Sequence, residues 1–103
     1  MCGITGILGS NFNNSEKIYS MTRVLSHRGP DKSDVYLDKN SGVFLGHTRL
    51  SILDLSNSGN QPMISNNGRY IICYNGEIYN HLELRKNINN YIWKGSSDTE
   101  TIL

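Results

Sequence analysis

A chain of 103 residues makes one domain or a piece of one, and at this length its core is modest because roughly a third or more of the unfolded surface stays exposed. Its 37% hydrophobic and 18% charged residues make it polar without charge runs, the excess being Asn and Ser, which excludes disorder as the default reading. A net charge of +1, no apolar stretch near the ~20 residues that span a bilayer, and no secretory signal at the start point away from nucleic acid and membranes, toward a cytoplasmic protein with a small ligand.

Residues 2–8 mix Ile4, Thr5, Ile7 and Leu8 with Gly3 and Gly6, which suits a buried strand that another element approaches closely. Met before a small residue is normally removed, so Cys2 is expected to open the mature chain. A free α-amine beside a thiol can take the thiol proton near neutral pH, directly or through water, so nucleophile and base belong to one residue. A small core cysteine is the structural alternative. Asn13 with Glu16 three positions later forms a capping pair for a helix whose Ile18, Met21, Val24 and Leu25 share a face. His27-Arg28-Gly29-Pro30-Asp31 then looks functional but is also a good helix ending, with cations in the last turn, Gly past the end and Pro beyond, and the structural reading explains most of it.

Residues 35–37 and 43–53 read as strands joined by a turn at 38–42. Arg49, in a segment otherwise suited to burial, needs an anion such as an α-carboxylate held bidentately, or else is a solvated edge-strand arginine. Residues 54–62 read as a surface loop ending at Gln61-Pro62, and Asn67-Gly68 as a hairpin turn into a strand at 70–74 that carries Cys73 inward. That strand ends at Asn75-Gly76, where a side-chain amide and an exposed backbone N–H can point at a developing oxyanion. An ordinary tight turn accounts for the same pair. Tyr74 and Tyr79 read as packing residues.

Asn80 with Glu83 caps a short helix through Leu84 and Ile88, Tyr91, Ile92 and Trp93 read as a further strand, and Ser97 with Glu100 makes a capping box for a last helix. If Arg49 holds the carboxylate of a free amino acid, its ammonium needs an acceptor, which Asp98 or Glu77 could supply. For Asp98 the helix dipole alone is a sufficient explanation. Cys2 and Cys73 lie far apart, and neither they nor His27, His47 and His81 show zinc spacing, so the expectation is reduced thiols and no metal site.

Taken together, Met1-Cys2-Gly3-Ile4, His27-Arg28-Gly29-Pro30-Asp31, Arg49-Leu50-Ser51-Ile52-Leu53-Asp54, Gln61-Pro62, Tyr74-Asn75-Gly76-Glu77-Ile78-Tyr79-Asn80 and Ser97-Asp98-Thr99-Glu100 resemble the glutamine-hydrolysing asparagine synthetases over the whole chain. The first block is shared by class II glutamine amidotransferases generally. The resemblance implies an α+β fold, the αββα sandwich of antiparallel sheets of the N-terminal-nucleophile hydrolases, with residues 2–103 as its first part and the synthetase domain absent. It implies Cys2 as nucleophile and base, and Asn75 and the Gly76 N–H as oxyanion hole. Arg49 would grip the glutamine carboxylate, while the backbone of Leu50, Ser51, Ile52 and Leu53, with Glu77 and Asp98, would complete the pocket.

The resemblance further implies glutamine as ligand and no cofactor in this chain. ATP and Mg would belong to the missing domain, where the ammonia meets an activated aspartate, and the full-length protein could be an oligomer. Two alternatives stand beside this reading. One is the same glutaminase feeding another acceptor, such as a sugar acid or a secondary-metabolite precursor. The other is an inactive fragment that binds glutamine weakly or associates through an open sheet edge.

Overall fold

The computed structural model describes residues 1–51 and 55–103. Strand β1 (Gly3–Leu8) leads through a short turn into helix α1 (Asn14–Val24), which tightens into a 3₁₀ turn over Leu25–His27. The hairpin β2 (Lys32–Asp38) and β3 (Val43–Arg49) follows. Its turn is held by Asp38, whose carboxylate accepts from the Ser41 hydroxyl and from the Asn40 and Ser41 backbones. Those bonds lower the Asp38 pKa, that from the Ser41 hydroxyl most of all. Gly42, at φ +70, closes the turn in the left-handed region that glycine enters without strain.

The three strands form one antiparallel sheet in the order β1-β3-β2, with Gly3 opposite Thr48 and Ser33 opposite the same residue. Helix α1 packs across one face of it. Ile18 and Phe44 are the buried hydrophobic residues of this layer, and Thr22 and Thr48 are buried with them. Contact is close: a Cβ on Gly46 would lie 2.0 Å from Thr22 Oγ1, so the helix sits where only a glycine strand position admits it.

A second, two-stranded antiparallel sheet pairs β4 (Met63–Ile64) with β5 (Ile71–Ile72). Its turn has Gly68 at φ +70, as the Asn67-Gly68 pair leads one to expect. Two short helices, α2 (His81–Lys86) and α3 (Asp98–Ile102), complete the described chain. The architecture is therefore α+β with antiparallel sheets, as expected.

Several finer expectations are corrected. The strand read over 43–53 stops at Arg49, and Ile52 and Leu53 lie outside the described residues. Residues 91–93 form no strand: the Tyr91 and Trp93 rings lie 4.4 Å apart and the Arg85 guanidinium sits 3.9 Å over Trp93, so cation–π contact replaces a ladder. Strand β1 is not buried along its length, since Ile4 and Leu8 are exposed. Of the helix face Ile18-Met21-Val24-Leu25, Ile18 alone is buried and Val24 is 72% exposed. Of the loop read over 54–62, the described residues 55–62 are no mere surface connection, because Gly59 and Gln61 are buried.

The capping pairs divide by backbone geometry. At Asn13 (φ −81, ψ −3) and Asn80 (φ −98, ψ 21) the chain is not extended and neither side chain makes a cap bond. At Ser97 (φ −67, ψ 136) it is extended, and the Ser97 hydroxyl accepts from Thr99 N. The other half of that capping box is replaced, for Glu100 accepts from Lys94 N at 2.7 Å and Gly95 N at 2.9 Å instead.

Candidate functional site

Period two of a strand decides which face Cys2 takes. A Cβ on Gly3 would point at Leu25 and Thr48 Oγ1, on the helix side of the sheet. Its predecessor therefore turns to the opposite face, as does Arg49 beside Thr48. There the half-buried Cys2 thiol meets the backbone of Leu50, accepting from Leu50 N at 3.4 Å and donating to Leu50 O at 3.7 Å.

This face opens into a cleft of about 360 Å³ lined by Cys2, Arg49, Leu50, Asn75, Gly76, Glu77 and Asp98, with Met1 at 75% exposure also on its wall. Seven residues named from sequence are thus gathered from four separate segments. Ser51 does not line the cleft, its N–H donating instead to Asp31 Oδ2 at 2.7 Å, and Ile52 and Leu53 fall outside the described residues. The volume lies in the range of small-molecule sites.

Arg49 is 6% exposed, so it is not the solvated edge-strand arginine. Its Nη1 donates to Ser56 O and to Asn60 Oδ1, both at 2.9 Å, which fixes the guanidinium plane. Asp98 is 5% exposed; its Oδ2 accepts from Ile78 N at 2.8 Å and its Oδ1 from Thr99 N at 2.9 Å. A carboxylate has about four acceptor sites, so two bonds leave capacity for a further cationic donor. Asn75, Gly76 and Glu77 are exposed and make no hydrogen bond among the described residues. This stretch is accordingly no hydrogen-bonded hairpin turn among the described residues, and it stands exposed on the cleft wall.

Sequence reasoning missed the clamp beneath the thiol. The helical run does end here, its 3₁₀ turn closing at His27 with Arg28 as cap, but Gly29 is absent from the left-handed glycines Gly9, Gly42 and Gly68. Gly29 is needed for proximity instead. A Cβ there would lie 2.4 Å from Thr48 C and O and 2.5 Å from Arg49 N. Around it, Arg28 Nε donates to Cys2 O at 3.2 Å, Asp31 N donates to Arg49 O at 3.0 Å, and Asp31 accepts from Ser51. The segment thereby binds the backbone on both sides of the thiol. A local pattern that also satisfies helix-ending rules gave no signal for these long-range partners.

A second missed residue is Arg85, which donates to Thr101 Oγ1, Gly95 O and Ser97 O and pairs with Glu100 at 3.7 Å. It anchors the entry to α3 and so the position of Asp98. His47, 1% exposed on β3, has neither ring nitrogen in hydrogen-bond geometry with a described residue, and burial lowers its pKa, a shift that the Tyr74 backbone partly offsets. Burial pushes the Cys73 thiol the other way, up to about 11. Among the described residues no three His, Cys, Asp or Glu side chains converge as metal ligands, and no helix is long and apolar enough to cross a membrane.

Residues 1–103 match the glutamine amidotransferase domain family. The chain is 40% identical over 105 residues to asparagine synthetase [glutamine-hydrolyzing] 1 of Arabidopsis thaliana, with 99% of this chain and 18% of that protein covered. It is 41% identical to the asparagine synthetase [glutamine-hydrolyzing] of Sandersonia aurantiaca, covering 99% of this chain and 19% of that protein. Asparagine synthetase [glutamine-hydrolyzing] 2 of Bacillus subtilis is 38% identical over 108 residues, with 100% of this chain and 14% of that protein covered. The chain thus spans less than a fifth of the length of these relatives.

Proposed function

We propose, starting from a chain that belongs to the glutamine amidotransferase domain family, that Cys2 attacks the side-chain amide of glutamine bound in the cleft and releases ammonia. The observation that carries this reading is the convergence of the thiol, a buried arginine, a buried carboxylate and an unbonded Asn-Gly stretch on one cavity.

Removal of Met1 frees the Cys2 amine, which takes the thiol proton, with the Leu50 N–H already directed at the sulfur. The sulfur adds to the amide carbon, and negative charge develops on the carbonyl oxygen. The Asn75 side-chain amide and the Gly76 N–H receive it. The intermediate collapses with cleavage of the C–N bond, the nitrogen leaves as ammonia carrying the proton from the amine, and a Cys2 thioester remains. Water then hydrolyses the thioester to glutamate and restores the thiol. Arg49 holds the substrate α-carboxylate, and Asp98 with Glu77 receives its ammonium. Leu50 lines the pocket beside them.

In the whole protein the ammonia is used to make asparagine, in keeping with the asparagine synthetases among the relatives. ATP and Mg would act in a further domain, on aspartate. The complete αββα sandwich of the N-terminal-nucleophile hydrolases is part of the same proposal, supported by the two antiparallel sheets and by the exposed Ile4, Leu8 and Val24, which more chain would cover. Nothing favours a sugar-acid or secondary-metabolite acceptor over this one. The test is glutamine-dependent ammonia release by the intact protein and its Cys2→Ala variant. The variant should fall to background while keeping its fold, and substantial residual hydrolysis would overturn the assignment.

A further inference from the structure

Gln61 sits at what the sequence reads as a loop terminus, yet it is 7% exposed and both ends of its amide are used. Its Oε1 accepts from Tyr74 N, the residue immediately before Asn75-Gly76. Its Nε2 donates to Thr99 Oγ1 at 3.3 Å, on the residue immediately after Asp98. Asp98 in turn accepts from Ile78 N at 2.8 Å, immediately after Glu77. A closed circuit results, from Gln61 to Tyr74, along the chain to Ile78, across to Asp98 and Thr99, and back to Gln61. The three residues between its two pinned backbone N–H groups, Asn75, Gly76 and Glu77, make no hydrogen bond of their own among the described residues.

An unbonded three-residue stretch keeps its amide dipoles pre-aimed only if its ends are fixed, because dipoles that must reorganise during reaction lose most of their catalytic value. Asp98 fixes one end and is itself on the cleft wall. We propose that Gln61 is the positioning residue for the other end: it sets the Asn75-Gly76 oxyanion donors relative to the ammonium-binding carboxylate, coupling the two halves of the site through one side-chain amide. This rests on the glutaminase reading of the cleft. Chemically the position requires an acceptor toward Tyr74 N together with a group that can bond a hydroxyl, so Gln satisfies both and an apolar isostere satisfies neither.

The role makes a kinetic signature. Arg49 holds the substrate carboxylate and Asp98 its ammonium, and Glu77, which shares the ammonium, lies at the end of the stretch that Asp98 itself pins through Ile78 N, so ground-state binding survives loss of the Gln61 bridge, whereas transition-state stabilisation does not. In the intact protein, Gln61→Met should lower kcat for glutamine hydrolysis by about 10- to 100-fold, as a misplacement of about 1 Å does, with KM held within about threefold. Gln61→Glu, which keeps the acceptor for Tyr74 N and can take a bond from the Thr99 hydroxyl, should recover most of the kcat. Affinity for glutamate, which develops no oxyanion, should be unchanged in both variants.

Equal losses in the Met and Glu variants, or a raised KM at constant kcat, would overturn the bridge. Should the Met variant fail to fold, Thr99→Val severs only the donor end. A fall in kcat of about tenfold at constant KM then supports the proposal, and an unchanged kcat refutes it. Wild-type protein that lacks glutaminase activity, or keeps it in Cys2→Ala, would instead count against the function proposed for the cleft.

Discussion

Replacing Gly29 by Ala adds one methyl group at the tightest backbone crossing near the thiol. The new Cβ would lie 2.4 Å from Thr48 C and O and 2.5 Å from Arg49 N, where ordinary contact begins near 3.4 Å. The obstructing atoms are backbone within a central strand, so no side chain can swing aside, and the two segments must part by about 1 Å. Overpacking of this kind costs about 1–3 kcal/mol of stability.

The displacement cannot stay local. Arg28, one residue away, holds Cys2 O, and Asp31, two residues away, holds Arg49 O and Ser51 N. Pulling this segment off β3 therefore shifts the thiol against Arg49, the residue proposed to hold the substrate carboxylate, and a shift of about 1 Å costs up to about 100-fold in rate. Urea unfolding and ammonia release by Gly29→Ala measure the two effects separately. Unchanged stability together with kcat/KM within about threefold of wild type would refute the argument that the 28–31 segment clamps the site.

Other expectations follow from the same geometry. Asn75→Ala removes one proposed oxyanion donor from an exposed position, so it should cost on the order of 3 kcal/mol in kcat with little change in the unfolding midpoint. Steady-state kinetics beside a denaturant titration checks both. His47 supplies a pH signature: burial lowers its pKa from the ordinary 6.5, so the unfolded chain binds the proton more readily than the folded one. The contribution of its neutral form is fully present above pH 6.5 and is lost as pH falls through the window below. Stability measured against pH should drop on that acid side, and a less basic replacement such as His47→Gln should flatten the slope; an identical slope in the variant would contradict the assignment.

The parts of the site that were legible in the sequence are those whose chemistry is unusual where it stands. A cysteine next to the start, an arginine in a strand suited to burial, an Asn-Gly pair followed by a poor hairpin strand and a carboxylate at a helix start each posed a local question, and all four meet on one cleft. The β2–β3 ladder was legible too, because its apolar strands and the turn at Gly42 mark it, whereas of the second ladder the turn at Gly68 was legible but the strand read over 70–74 is only Ile71–Ile72 and its partner Met63–Ile64 was not read.

What stayed hidden depends on partners distant in the chain. Arg28, Asp31, Gln61 and Arg85 bind backbone atoms up to 26 residues away, and backbone atoms carry no sequence signature. Asn13 and Asn80 look like caps but sit in backbone conformations from which the side chain does not reach a helix N–H, whereas Ser97 is extended and does. The apolar run at 91–93 has strand composition, but its rings are taken by each other and by Arg85.

The central claim is that Cys2, and not the chain's other thiol, meets glutamine in the cleft. Peptide mass mapping of the intact protein after treatment with an electrophilic glutamine analogue tests it most directly. A single adduct is expected on Cys2 at the head of a peptide lacking Met1, suppressed by excess glutamine, with Cys73 unmodified because burial pushes its thiol up to about 11. An adduct on Cys73, or an unlabelled Cys2 in protein that is folded and hydrolysing glutamine, would contradict it.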